Sequence, residues 1–481
     1  MVRPTGGSPV SADPLKGSSM STRQDGAPSP TIRSRADLVG WIAEGEKPQE
    51  RWLIGTEHEK FPFYINDNSP VPYVGERGIR ALMEQMIARF GWQPIMEGDN
   101  IIALKRPEGE GIATVSLEPG GQFELSGAPL STLHETAAET AKHLDEVREA
   151  GGALGIGFLG LGFAPTVKIA DAPRMPKQRY GVMTGYMPKV GTRGLDMMYR
   201  TCTIQVNLDF ASEADMVRKL RVSLALQPVA TALFASSPFT EGGLNGFKSA
   251  RSEVWRHTDA NRTGMLPFAF DEGMGYEGYV EYALDVPMYF VYREGKYIDA
   301  AGASFRDFMD GKLAQLPGER PTIDDWSDHL TTLFPEVRLK RFLEMRGADG
   351  GRARRIAALP AFWVGVLYDG GALDAAWDLV KGWSAEERQR LRDEVPRLGL
   401  ETPIRGGKLL DVAREAARIS RTGLAARARL DASGRDETIH LAFVEETLAK
   451  GRSPADDLVA LYEGAWGREI DRVFDADAAA F

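Results

Sequence analysis

Between Cys202 and Phe210 the chain alternates without a break: Cys202, Ile204, Val206, Leu208 and Phe210 are apolar, while Thr203, Gln205, Asn207 and Asp209 are polar. Successive side chains on a strand point to opposite faces, so the stretch predicts a strand with one packed and one polar face. That is the pattern of an antiparallel sheet, not of the continuously apolar strands in a doubly wound parallel one. A site would sit on the polar face. Three further short strands carry acidic or amide side chains two residues apart: Glu57 and Glu59 around His58, the segment 117–124 with Glu118, a Pro-Gly-Gly turn, Gln122 and Glu124, and Glu344 with Arg346 in 342–347.

A chain of 481 residues exceeds the usual size of one hydrophobic core and leaves room for a deep active site. It is 43% apolar and 26% charged, an ordinary globular composition. No apolar run approaches the roughly 18–20 residues of a membrane span, so no membrane partner is expected. The net charge of −10 and the lack of a basic stripe argue against nucleic acid as a partner. A single cysteine, Cys202, excludes an intrachain disulfide and suits a reducing cytoplasm, the expected location.

Residues 1–34 are rich in Ser, Pro, Gly and Thr and read as a disordered tail without the apolar core of a signal peptide. Met20 offers a second possible start, and the pattern does not choose between the two. A catalytic core is expected over 35–371, opening on a helix that Ser34 caps and that places Leu38, Trp41 and Ile42 on one face. Helices are predicted near 77–90, 133–150 and 212–235. From 372 to 481 the chain reads as a helical region, with capping boxes at Ser384 and Ser453. The arginines of 411–430 pair naturally with neighbouring acids on helix faces.

Two phosphate-loop look-alikes fail on context. Gly155, Gly157 and Gly160 fit the dinucleotide spacing, but they follow a helix and enter a strand, the reverse of what that motif needs. The loop from Gly242 to Ser249 only approximates a P-loop, with Lys248 displaced by one position. The chemistry lies with the acidic strands. Apolar neighbours on both sides of Glu57 and Glu59 put their carboxylates near a core, where they need partners. With Gln122, Glu124 and Ser126 on the following hairpin, the hard-oxygen inventory suits magnesium and substrate phosphates. Few histidines and one cysteine make structural zinc a poor fit.

The segments IGTEHEKF at 54–61, LEPGGQFELSGAPL at 117–130, YMPKV at 186–190, MMYRTCTIQVNLDF at 197–210, RTGMLPF at 262–268 and ALDVPMY at 283–289, with 330–351 and 358–368, resemble the plant-type glutamate–cysteine ligases shared with alphaproteobacteria. The likeness runs in order through almost everything after residue 35. It implies an α+β, glutamine-synthetase-like fold in which a curved antiparallel sheet holds ATP, magnesium, glutamate and cysteine. It also implies the first step of glutathione biosynthesis, through γ-glutamyl phosphate. In that reading Glu57, Glu59, Glu118, Glu124 and Glu344 hold magnesium, and Glu57, Glu59, Gln205, Asn207 and Arg346 surround ATP. Gln205 stands where more distant ligases of this fold carry a metal-binding histidine.

The same resemblance makes Arg346 and Arg251 catalytic, Arg346 by stabilising the transferred phosphoryl group, with an ion pair to one of the glutamates as its plainer role. Arg251 and Arg179 are expected on the glutamate α-carboxylate. Met198 and Tyr199 are expected to line the cysteine pocket, core packing being the alternative. Where the plant enzymes carry regulatory disulfides this chain has Ala137, Ala300, Gln315 and Ala357, so that control is absent. Cys202 reads as a packed small hydrophobe. Glutathione feedback and oligomeric state stay open, as do a sister ligase for another amine and a non-catalytic nucleotide-binding protein.

Overall fold

The computed structural model describes residues 29–109 and 111–478. Its centre is a nine-stranded sheet of β1 (Ile54–Tyr64), β2 (Gln93–Glu97), β3 (Asn100–Glu108), β4 (Gly111–Leu117), β5 (Phe123–Ser126), β6 (Ile156–Leu159), β7 (Thr203–Leu208), β8 (Val337–Leu339) and β9 (Leu343–Asp349). The strands run in the order β8-β9-β7-β1-β5-β4-β3-β2, with β6 on the far half of β1, and every ladder is antiparallel. The α+β class and the antiparallel sheet are as the alternation predicts.

Helices cover the apolar face. Ile204, Val206 and Leu208 of β7 and Leu343 and Met345 of β9 share one core with Leu220, Leu224, Val229 and Leu233 of a helix spanning Glu213–Phe234. From Val222 on that helix is buried on every side and apolar nearly all round, while its first turns keep the exposed Glu213 and Arg218. Phe362, Trp363 and Val366 of the helix Ala353–Leu367 complete the layer. The other half of the sheet packs Leu117, Phe123 and Leu125 against Leu82, Met83 and Met86 of the helix Ile79–Phe90 and Val147 of the helix Leu133–Gly152. The helices Gly370–Val380, Ala385–Leu398 and Leu409–Arg427 pack onto the same first core through residues such as Leu373, Leu391 and Ile419. Both predicted capping boxes form, at Ser384 and Ser453.

The two glycine motifs have packing roles. Gly157 in β6 lies flat against the Phe63 ring, where a Cβ would approach to 2.6 Å. The loop that mimics a P-loop leads into a helix at Ala250–Arg256, and its Ser249 donates to Asp349 of β9 at 2.7 Å. Of the predicted tail, residues 1–28 lie outside the described chain. Its end is held in place: Thr31 bridges Thr322, Ile32 is buried, and the Ile32 N–H donates to the Pro321 carbonyl at 2.8 Å. One isoleucine in a Ser/Pro-rich run carries too little pattern to reveal this.

Glu139, on the helix Leu133–Gly152, is buried beneath the chain at Gly127 and accepts the Ala128 N–H at 2.9 Å. Burial pushes its carboxyl up to about 7. The unfolded chain releases that proton near the ordinary value of about 4.3, so stability falls as pH rises from there through 7. Glu139→Gln keeps the acceptor and removes the ionisation. It is expected to melt above the wild type at pH 8 by about 2 °C or more, with the gap shrinking toward pH 5; a gap independent of pH would contradict this.

Candidate active site

Cross-strand register assembles the polar face in rows. β1 places Glu57 opposite Gln205 of β7 and Ser126 of β5, and Glu59 opposite Glu124 of β5. The adjoining row runs from Gly55 through Asn207 and Glu344 to Arg338 of β8. Because neighbouring strands lie about 4.8 Å apart, these side chains are near neighbours although their sequence separations exceed 200 residues in places. The register of β9 shifts between Met345 and Ala348, a bulge that sets Arg346 across from Gln205.

The Pro-Gly-Gly turn brings in Glu118. The Gly121 N–H donates to the Glu118 carbonyl at 2.9 Å, and Gln122 clamps the turn by accepting from the Gly120 N–H and donating to the Thr201 carbonyl at 2.8 Å. Gly120 sits so close to the Tyr199 carbonyl that a Cβ would reach 2.4 Å, which only glycine avoids. Gln122, expected as an oxygen donor on the site, is therefore a structural clamp.

One cavity opens on this face. Glu57, Glu59, Glu118 and Glu124 line it on one side, and Arg179, Arg251, Arg338, Lys340 and Arg346 on the others, with Met183, Met197, Met198, Trp255 and Phe334 among its apolar lining. Burial raises the Glu57 carboxyl, helped by Glu344 and Glu124. Burial also raises Glu59 well above its usual range, with Glu118 and Glu124 adding to it. Glu124 is pushed up to about 7 by burial and by Glu118, with which it shares a hydrogen bond. Like charges held this close favour a shared proton or a bound cation. Among the described residues no three such donors form a ready-made ion cage. The hard oxygens of these carboxylates fit a divalent cation.

The opposite wall is built on Glu344. Burial alone would raise this carboxyl, but Arg338, Lys340 and Arg346 outweigh it and hold it below the usual range. Arg338 binds it through Nη2 at 2.8 and 2.7 Å and gives its Nη1 to the Thr331 and Leu333 carbonyls. Lys340 Nζ lies 3.1 Å away, and Arg346 bonds both Glu344 and the Gln205 amide oxygen.

Several expectations change here. Glu344, placed on magnesium, does not line the cavity, because three cations occupy its oxygens. Arg346 takes the ion pair that was its plainer role while still facing the cavity. The carbonyl of Gln205 is taken by Arg346, and Asn207 donates to Glu57 at 2.8 Å and lines a neighbouring cavity instead. Met198 reaches the cavity and Tyr199 does not: they are consecutive on the helix Gly194–Arg200, where side chains diverge by about 100°. The Tyr199 ring instead carries the Arg174 guanidinium, 3.5 Å from its centre. Arg338 and Lys340 escape sequence reading because their importance depends on the β8–β9 hairpin folding them back onto Glu344. A basic residue at alternate positions just before Glu344 was the available signal.

The chloroplastic glutamate–cysteine ligase of Nicotiana tabacum is 57% identical over 442 residues, 92% of this chain and 82% of that protein. The chloroplastic glutamate–cysteine ligase of Arabidopsis thaliana is 55% identical over 442 residues, with the same coverage. A solved glutamate–cysteine ligase from Francisella tularensis, in complex with AMP, superposes with a TM-score of 0.50 at 10% identity over 91% of this chain and 90% of its own, a likeness of fold alone. The fold and these relatives define an enzyme of the ligase class. The chain belongs to glutamate–cysteine ligase family 2, which matches residues 53–476. The expected cytoplasmic location is overturned by the plant relatives, which are chloroplastic; one reduced thiol reports redox conditions and gives no address.

Arg338→Met removes the bidentate partner of a fully buried carboxylate. It is expected to destabilise the protein by about 3 kcal/mol or more in urea unfolding, and a change within about 0.5 kcal/mol would show that Lys340 and Arg346 suffice.

Proposed function

We propose that this chain joins the γ-carboxyl of L-glutamate to the amine of L-cysteine with ATP as co-substrate, the first step of glutathione biosynthesis. The observation that carries this reading is the cavity in which four carboxylates, Glu57 and Glu124 buried and Glu59 and Glu118 partly exposed, face five cationic side chains, in a chain of glutamate–cysteine ligase family 2. A carboxylate is a poor electrophile and must first be activated. Its γ-oxygen bonds the terminal phosphorus of ATP, the bond from that phosphorus to the bridging oxygen breaks, and ADP leaves with the electron pair. The cysteine amine, having shed its ammonium proton to solvent, then attacks the γ-carbonyl of the acyl phosphate, and phosphate departs.

The residues mainly position reactants and balance charge. Glu57, Glu59, Glu118 and Glu124 would hold magnesium, whose chemistry is to neutralise phosphate oxygens. Arg346 faces the phosphoryl group from the other wall, oriented by Glu344 and Gln205. Arg251 is held by Asp349 through their charges and by its own bond to the Arg346 carbonyl at 2.8 Å. With Arg179 it offers guanidinium donors for the glutamate α-carboxylate. Met198 lies beside the cysteine side chain, where sulfur contacts are favourable. In domain terms, the sheet and its covering helices within 35–371 form the catalytic core, and 372–481 support it.

Purified protein with magnesium and ATP is expected to release phosphate only when glutamate and cysteine are both present. Equal turnover across a panel of other amines would instead favour a sister ligase, and no turnover with any amine a nucleotide-binding protein. Glu59→Gln is expected to lower kcat by about a thousandfold or more, with a nucleotide-free melting temperature at or above that of the wild type, because it removes one of the crowded charges. A collapsed melting curve would assign Glu59 to the fold.

A further inference from the structure

Lys340 occupies the turn between β8 and β9, its N–H donating to the Phe342 carbonyl at 2.9 Å. Its side chain is 9% exposed and lines the main cavity, and its ammonium lies 4.7 Å from the centre of the Phe342 ring and 3.1 Å from Glu344. Arg338 beside it is saturated, its donors shared between Glu344 and two backbone carbonyls. Lys340 is not. Among the described residues its one hydrogen-bonding partner is Glu344, which leaves two of its three N–H donors.

Its position is distinctive as well. A second cavity, lined by Lys47, Gly55, Thr114, Asn207 and Phe342, adjoins the first, and Glu57 lines both. Lys340 and Glu57 interact through their charges. Lys340 lines the first cavity and its ammonium sits against Phe342, which lines the second, so it stands where the two meet, at the border between the acidic and basic walls. Glu344 brings one negative charge to three cations, so even with Glu57 counted this corner keeps a positive excess that favours an anion.

We infer that Lys340 is a phosphate-contacting residue, holding the terminal phosphates of a nucleoside triphosphate that spans the two cavities while the outermost phosphoryl group faces the glutamate carboxylate. The inference rests on the ligase reading above and names a residue for it. Charge builds on the β–γ bridging oxygen as its bond to phosphorus breaks, and an ammonium with spare donors at the junction meets that charge without having to move.

The test compares AMP with the non-hydrolysable β,γ-imido analogue of ATP, by calorimetry in magnesium buffer, on wild type and Lys340→Met. The variant is expected to bind the analogue about tenfold more weakly while AMP affinity holds within about twofold, because only the analogue carries the outer phosphates. Its kcat is expected to fall about a hundredfold with the KM for glutamate within about threefold. Analogue affinity unchanged, or analogue and AMP weakened in parallel, overturns the role. Should Lys340→Met fold poorly, Lys340→Gln, which keeps an N–H for Glu344 but no charge, is read by the same criterion. A wild type that binds neither nucleotide sinks the ligase reading and this inference with it, whereas a wild type that binds both, beside a variant whose analogue affinity is unchanged or falls in parallel with AMP, sinks only the inference.

Discussion

The arrangement of this molecule turns on one electrostatic constraint: four carboxylates, two of them buried and two partly exposed, line one cavity. Glu57, Glu59 and Glu124 all have raised carboxyls, chiefly through burial and secondarily through each other or Glu118 and Glu344. Crowding of this kind is an electrostatic strain that a bound cation or a shared proton relieves. The opposite wall has the complementary imbalance, three cations on Glu344 alone. A ligand that joins metal-bridged phosphates to a carboxylate answers both walls at once.

The scaffold makes this strain tolerable. The strands that carry the acids are backed by the helices Ile79–Phe90 and Leu133–Gly152 and their core, and joined laterally by antiparallel ladders that run from β8 to β2. The bulge in β9 and the glycine turn after Glu118 are the local departures from regular structure that re-aim Arg346 and Glu118 into the cavity. Asp349 extends the same logic beyond the sheet. Its oxygens accept from the Ser236 N–H and from Ser237 and Ser249, at 2.6–2.8 Å, and so fix the loop that delivers Arg251.

What could be read in the sequence follows the range of each interaction. Alternation in 202–210 and around Glu57 is local, and it revealed the strands, their polar face and the four acids of the cavity. Which residue neutralises Glu344 is not local: Arg338 matters only because a hairpin returns it to face Glu344 in register. The Met198 and Tyr199 pair shows a second limit: a resemblance puts both at one pocket, but consecutive residues on a short helix diverge by about 100° and only Met198 reaches the cavity. Ile32 shows a third, for one buried residue at a chain end leaves no periodicity at all.

Oxygen tracing is the most direct trial of the central claim, that this cavity lets a carboxylate take the phosphoryl group before the amine arrives. Glutamate labelled with heavy oxygen in its γ-carboxyl would be turned over with ATP, magnesium and cysteine, and the released phosphate examined by mass. The account expects one labelled oxygen in each phosphate released. Phosphate carrying no label, with peptide bond formation intact, would contradict it.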